Sequence, residues 1–94
     1  MMISSETILS RSSNAVSRTI DNEEVIVQPK EGMVTVTSIT GTTIWKMLDG
    51  IRPVSDIVQR LSEEFDISYQ DALADSLEFL QDLLEKNLVV VISQ

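Results

Sequence analysis

The chain has 94 residues, 43% hydrophobic and 23% charged, with a formal net charge of −8, a composition that fits one compact domain and leaves no room for a second. It holds no Cys and no His, which excludes disulfides, thiolate nucleophiles, Cys-ligated metal centres and histidine general bases. Such acidity argues against nucleic acid as a partner; no apolar run approaches the ~18 residues of a membrane span, and the first residues lack a secretory pattern, so a cytoplasmic protein without membrane contacts is expected.

The charge is unevenly placed: residues 1–47 carry a net −1 and residues 48–94 a net −7. The first half is rich in Thr, Val and Ile at a period of two, and the second has helical spacing, so a sheet is expected first and helices after it.

Residues 1–13, MMISSETILSRSS, are mostly small and polar and read as a flexible lead-in to a domain over 14–94, with Ile8 and Leu9 available to anchor its end. Three antiparallel strands are then predicted, at about Ala15 to Ile20, Glu24 to Gln28 and Met33 to Ile39. Asp21-Asn22 and Pro29-Lys30-Glu31-Gly32 form the turns, because Asn, Asp and Gly tolerate positive φ and Pro presets the first turn position. In the third strand Val34 and Val36 fall on the face suited to a core, opposite Met33, Thr35 and Thr37. Its edge lacks the Lys, Pro or inward charge that ordinarily blocks strand pairing. An ordinary strand covered by a neighbour would show the same pattern.

The first helix is predicted over Gly41 to Leu48, with Thr40 as N-cap and Asp49-Gly50 as the stop. Trp45, the only Trp, shares a stripe with Ile44 and Leu48 and reads as a core anchor rather than a ligand platform. The second helix, Val54 to Phe65, lines Val54, Ile57, Val58, Leu61 and Phe65 along one side, with Pro53 in its first turn. The third begins after Ser68 and runs to about Lys86, followed by Asn87 as a left-handed stop and a final strand, Leu88 to Ile92. Its apolar and small residues cover about 160° of arc, where a helix lying on one core needs roughly 100°. Either two elements pack on it or a flank, with Ala72, Ser76, Phe79 and Leu83, is left for a partner. Its polar face sets Asp71, Asp75, Glu78, Asp82 and Glu85 against Lys86 alone.

The ordered series of Gly41, Ile44-Trp45 and Leu48-Asp49-Gly50, the Val54/Ile57/Leu61/Phe65 helix, then Phe79-Leu80 and Leu83 before Leu88, resembles the PqqD family. With the SRSSNAV opening and the Asp21-Asn22 turn it spans residues from about 10 to 92. Thr37-Ser38 stands where the family typically has Leu-Asn, Pro53 where a Thr commonly caps the second helix, and Asn87 where a Gly often closes the third. The resemblance implies an α+β, winged-helix-like fold: a three-stranded antiparallel sheet followed by three helices and a short C-terminal strand. It also implies a RiPP recognition element, which binds the leader of a ribosomally made precursor peptide as an extra antiparallel strand.

Carried onto this chain, that resemblance puts peptide-binding residues at Val34, Thr35, Val36, Thr37 and Ser38 of the third strand. On the third helix it puts them at Ala72, Asp75, Ser76, Phe79, Asp82 and Leu83. Main-chain pairing would give affinity, pockets by Phe79 and Leu83 would select side chains, and the acids would attract basic leader residues. The implied partners are the leader and either a radical-SAM enzyme or a leader peptidase and cyclase, as in pyrroloquinoline quinone or lasso-peptide assembly, the SRSSNAV opening leaning toward the latter. No cofactor, metal site or catalytic set is expected, since Ser or Thr without an evident base is not an activated nucleophile. The competing readings are a winged-helix transcription regulator, which the five acids on the third helix disfavour, and an adaptor that touches no peptide.

Overall fold

The computed structural model of the protein describes residues 2–94. In chain order the elements are β1 (Ile8–Arg11), β2 (Val16–Ile20), β3 (Glu23–Gln28), β4 (Met33–Val36), α1 (Ile39–Lys46), β5 (Asp49–Pro53), α2 (Val54–Phe65), α3 (Tyr69–Glu85) and β6 (Val89–Ser93). They form two antiparallel three-stranded sheets, ordered β2-β3-β4 and β5-β1-β6, and the fold is α+β as expected. No helix is long and apolar enough to cross a membrane among the described residues.

The meander β2-β3-β4 follows from its turns. Asp21 and Asn22 both take positive φ, 50° and 67°, which is the two-residue hairpin geometry whose twist matches the flanking strands. Gly32 sits at φ 64° after the Pro29-containing turn, where Glu31 N–H donates to the Gln28 carbonyl at 3.2 Å. The third strand is shorter than expected. It stops at Val36 because the Ser38 hydroxyl, not Thr40, caps α1, accepting from Gly41 N–H at 3.2 Å, so the helix opens at Ile39.

Over residues 2–13 the second sheet corrects the reading of 1–13 as a flexible lead-in, and Met1 lies outside the described residues. Ile8–Arg11 is the central strand, paired on one side with β5 and on the other with β6. Ile3, Thr7 and Leu9 are buried. Pro53 has no side chain to cap α2, and the N-terminal segment does that work: the Thr7 carbonyl accepts from Val54 N–H at 2.9 Å and the Ser5 carbonyl from Ser55 N–H at 2.8 Å. Strand β5, over the Asp49-Gly50 expected only as a stop, is held by Asp49 Oδ1, which accepts from the backbone N–H groups of Ile51 (2.9 Å) and Arg52 (3.0 Å). Two backbone N–H donors to one carboxylate hold Asp49 down at a pKa of about 2, and the Arg52 guanidinium at 3.0 Å adds to this.

One core joins all layers. Leu9 of β1, Ile26 of β3, Ile44 and Trp45 of α1, Ile57 and Leu61 of α2, Leu80 and Leu83 of α3 and Val89 of β6 are all buried in it. Trp45 is the core anchor expected, its Nε1–H satisfied by Ser17 Oγ at 3.0 Å. Helix α3 packs on α2, β6 and α1, which accounts for much of its wide apolar arc. It starts on a Ser68 hydroxyl cap and gives way to Asn87 at φ 62°, both as expected; Asn87 and Leu88 N–H then close the helix on the carbonyls of Leu84 and Leu83.

Candidate functional site

Sheet β2-β3-β4 is turned over relative to the sequence reading. Val34 and Val36 are 62% and 59% exposed, while Thr37 on the other face is buried. The register sets Val36 beside Val25 and Val34 beside Val27, so these four share the outer face, and Ile26 and Thr35 share the inner one. The inward Thr37 hydroxyl is tolerated because it is paired. Thr37 Oγ1 lies 2.8 Å from Thr42 Oγ1, which also accepts from Glu24 N–H at 2.8 Å and donates to the Ser38 carbonyl at 2.8 Å.

β4 is an edge strand, and its hydrogen-bonding phase decides which backbone groups stay free. Thr37 N–H donates to the Glu24 carbonyl at 3.0 Å, so Thr37 faces β3 as a hydrogen-bonded pair. In an antiparallel ladder this alternates, so Thr35 also faces β3 and the N–H and C=O groups of Val34 and Val36 point off the sheet. The free edge is therefore a two-residue repeat at Val34 and Val36, flanked by Ser38, which is committed to capping α1.

Beside the end of this strand lies the wall made by α3. A pocket of about 160 Å³ is lined by Ser38, Thr40, Gly41, Ile44, Leu61, Ile67, Asp75 and Phe79. Set against the ~30 Å³ that one water occupies in the liquid, it has room for one large side chain. It continues along α3 into an open cleft whose walls are Asp75, Glu78, Phe79, Gln81, Asp82 and Glu85. Phe79 belongs to both. Its ring lies against Gly41, where an added Cβ would meet Phe79 Cζ at 3.0 Å and Thr37 Cβ at 3.1 Å, so the ring, the helix start and the strand end converge at one point. The cleft carries four carboxylates, and among the described residues the one cation bonded to any of them is Lys86, on Asp82 at 3.1 Å.

The sequence-derived residues thus divide. Asp75, Phe79 and Asp82 line the cleft, Ser38 lines the adjoining pocket, and Val34 and Val36 are exposed on the strand that leads to Ser38. Thr35 turns its backbone inward, and Thr37 is buried in the Thr42 network. Ala72, Ser76 and Leu83 are sealed at 0% exposure, so they are core and not groove walls: the flank runs 75, 79, 82 rather than 72, 76, 83. Gly41, Ile67, Gln81 and Glu85 line the site without having been assigned to it. Ile67 was hidden because Asp66 takes the left-handed conformation, φ 52°, and redirects the chain after α2. No group of three or more acidic side chains is arranged to hold a metal among the described residues.

A three-stranded meander whose β4 edge is open and leads to a cleft lined by Phe79 and the carboxylates of α3 defines a small α+β domain able to accept an extended chain. The protein belongs to the PqqD family: the family model described as Coenzyme PQQ synthesis protein D matches residues 23–89. Among solved structures the chain is similar to TbiB1 in complex with the TbiA(beta) leader peptide, at 26% identity and a TM-score of 0.78, over 85% of this chain and 93% of that one. Comparison with curated proteins gives no match.

Proposed function

We propose that the protein binds the leader of a ribosomally synthesised precursor peptide by strand addition and presents it to a modifying enzyme. The observation that carries the reading is the free edge at Val34 and Val36 on the strand that runs into Thr37 and Ser38 at the Phe79 pocket, in a PqqD-family chain similar to a protein solved with a leader peptide bound. The leader pairs its backbone with Val34 and Val36, which gives affinity with little demand on sequence, and turns alternate side chains toward Phe79 and the pocket behind it. Asp75 and Asp82 favour basic leader residues and speed encounter at low salt.

The protein itself performs no chemistry on the peptide in this reading. Its partner is a radical-SAM enzyme or a leader peptidase with its cyclase, and it acts in the cytoplasm. Nothing favours duplex DNA: α3, the helix that would read it, turns Asp75, Glu78, Asp82 and Glu85 to the open cleft. Titration with a synthetic leader, followed by amide NMR, tests the proposal. The Val34 and Val36 amides and the Phe79 ring should shift together, and a saturating leader that leaves all three unmoved rules the site out.

A further inference from the structure

The outer face of β2-β3-β4 is the more apolar one: Val16, Val25, Val27, Val34 and Val36 share it with Arg18 of β2, and from β3 to the β4 edge it is valine alone. Across the sheet the register builds two rows: Val16, Val27 and Val34 in one, and Arg18, Val25 and Val36 in the other. Val16, Val34 and Val36 are exposed, and no helix covers this side. The residues that end the two rows are also the ones whose main-chain groups face outward, as the Thr37 to Glu24 hydrogen bond fixes. A strand added to β4 must therefore place one residue directly beside Val34 and another, two positions away, directly beside Val36. Both of those side chains lie on the outer face, away from Phe79 and α3.

We infer that Val34 and Val36 are specificity-determining residues, which select a leader carrying apolar β-branched or aromatic side chains at two positions spaced i, i+2 on its solvent-facing side. This rests on the leader-binding reading above and adds a second contact surface to it. A hydrogen-bonded antiparallel pair brings its two Cα atoms to roughly 5.5 Å, close enough for a Val, Ile, Phe or Tyr to cover each valine and lengthen each row by one residue. A charged side chain in either position would lie on an aliphatic row and forgo that contact. The α3 pocket then reads the residues between, so the two faces of the same peptide strand are selected by different walls: aliphatic outside, aromatic and acidic within.

The experiment selects binders from a displayed library of random 12-residue peptides against the wild-type protein, then measures each binder on the V34T/V36T variant. Valine to threonine keeps shape and strand preference at these exposed positions, and Val16→Thr, on the same face but two strands from the edge, is the control. Binders that shift the Val34 and Val36 amides should be enriched in apolar pairs at i, i+2, bind V34T/V36T about tenfold more weakly and bind Val16→Thr unchanged. Binders that shift those amides but show no such pair, or bind V34T/V36T as well as wild type, overturn this inference and leave strand addition intact. If no binder shifts those amides, strand addition at β4 is itself wrong, and the inference goes with it.

Discussion

Gly41 and Phe79 are packed so closely that a Cβ on Gly41 would sit 3.0 Å from Phe79 Cζ and 3.1 Å from Cε1, and the half-buried ring would have to give way. Phe79, together with Asp75, lines both the pocket and the cleft, so the first turn of α1 sets where the groove wall stands. Gly41→Ala should push the ring outward by a few tenths of an ångström and narrow the pocket. The expected result is weaker leader binding with a stability loss of about 1 to 3 kcal/mol, the usual cost of overpacking. Calorimetric titration together with urea melts would separate the two effects, and Phe79→Leu in the same chain should restore part of the stability.

The N-terminal strand makes a larger claim on stability. Leu9 is 2% exposed at the centre of sheet β5-β1-β6, and the carbonyls of Thr7 and Ser5 supply the backbone cap of α2. Leu9→Ala is expected to cost about 2 to 5 kcal/mol. Removing residues 1–11 should be worse, because it leaves β5 and β6 unpaired and uncaps α2. Thermal unfolding by circular dichroism reads both, and a truncated chain that melts like the full one would mean β1 contributes nothing.

The elements that the sequence announced are those with local causes. Helix α2 has its amphipathic stripe, α3 its Ser68 cap, and the β2-β3 hairpin its Asp21-Asn22 pair, and each lies where expected. Strands β1 and β5 were not legible, since ILSR and DGIRP have too little pattern to compete with turn residues and become strands only by pairing with each other and with β6. The orientation of the meander was hidden for a related reason. Alternation separates Val34 from Thr35 but does not say which faces in, and the decision falls to Ile26, Trp45 bonded to Ser17, and the hydroxyl network of Thr37 and Thr42. The same limit applied to α3, where helical spacing grouped Ala72, Ser76 and Leu83 with Phe79 and only packing separates core from groove.

Ser76 offers a stabilising substitution. Its hydroxyl is fully buried and has no hydrogen-bond partner among the described residues, a desolvation cost that is not repaid. Ser76→Ala removes the orphaned group and raises helix propensity, so an increase in stability of roughly 1 kcal/mol is expected in urea unfolding. Leader affinity should not change. A drop in affinity would instead place Ser76 in the groove.

Asp49 should leave a mark on the acid limb of the stability profile. Its carboxyl is held down to about 2 by the Arg52 and Ile51 backbone N–H groups, against an ordinary value of 3.8. A group depressed in the folded state stabilises fully above its unfolded pKa and loses that contribution as pH falls toward the folded one. Asp49→Asn should therefore be less stable than wild type by a constant margin above pH ~4, and the margin should shrink between pH ~4 and ~2. Urea melts at stepped pH measure this, and a margin that stays constant across the range would detach Asp49 from the acid response.

Phe79 and Leu83 lie one helical turn apart on α3, and they should fail in different ways. Leu83 is fully buried, so Leu83→Ala opens a cavity and is expected to cost about 2 to 5 kcal/mol, with any loss of leader binding following from unfolding. Phe79 is half-buried and faces the cleft, so Phe79→Ala should remain folded and lower leader affinity directly. The comparison is made at a temperature where both variants are folded, by melting curve. Under that condition Leu83→Ala should bind as wild type does and Phe79→Ala should not. Equal affinities for the two would take the ring out of the groove and leave the backbone edge at Val34 and Val36 as the whole of the site.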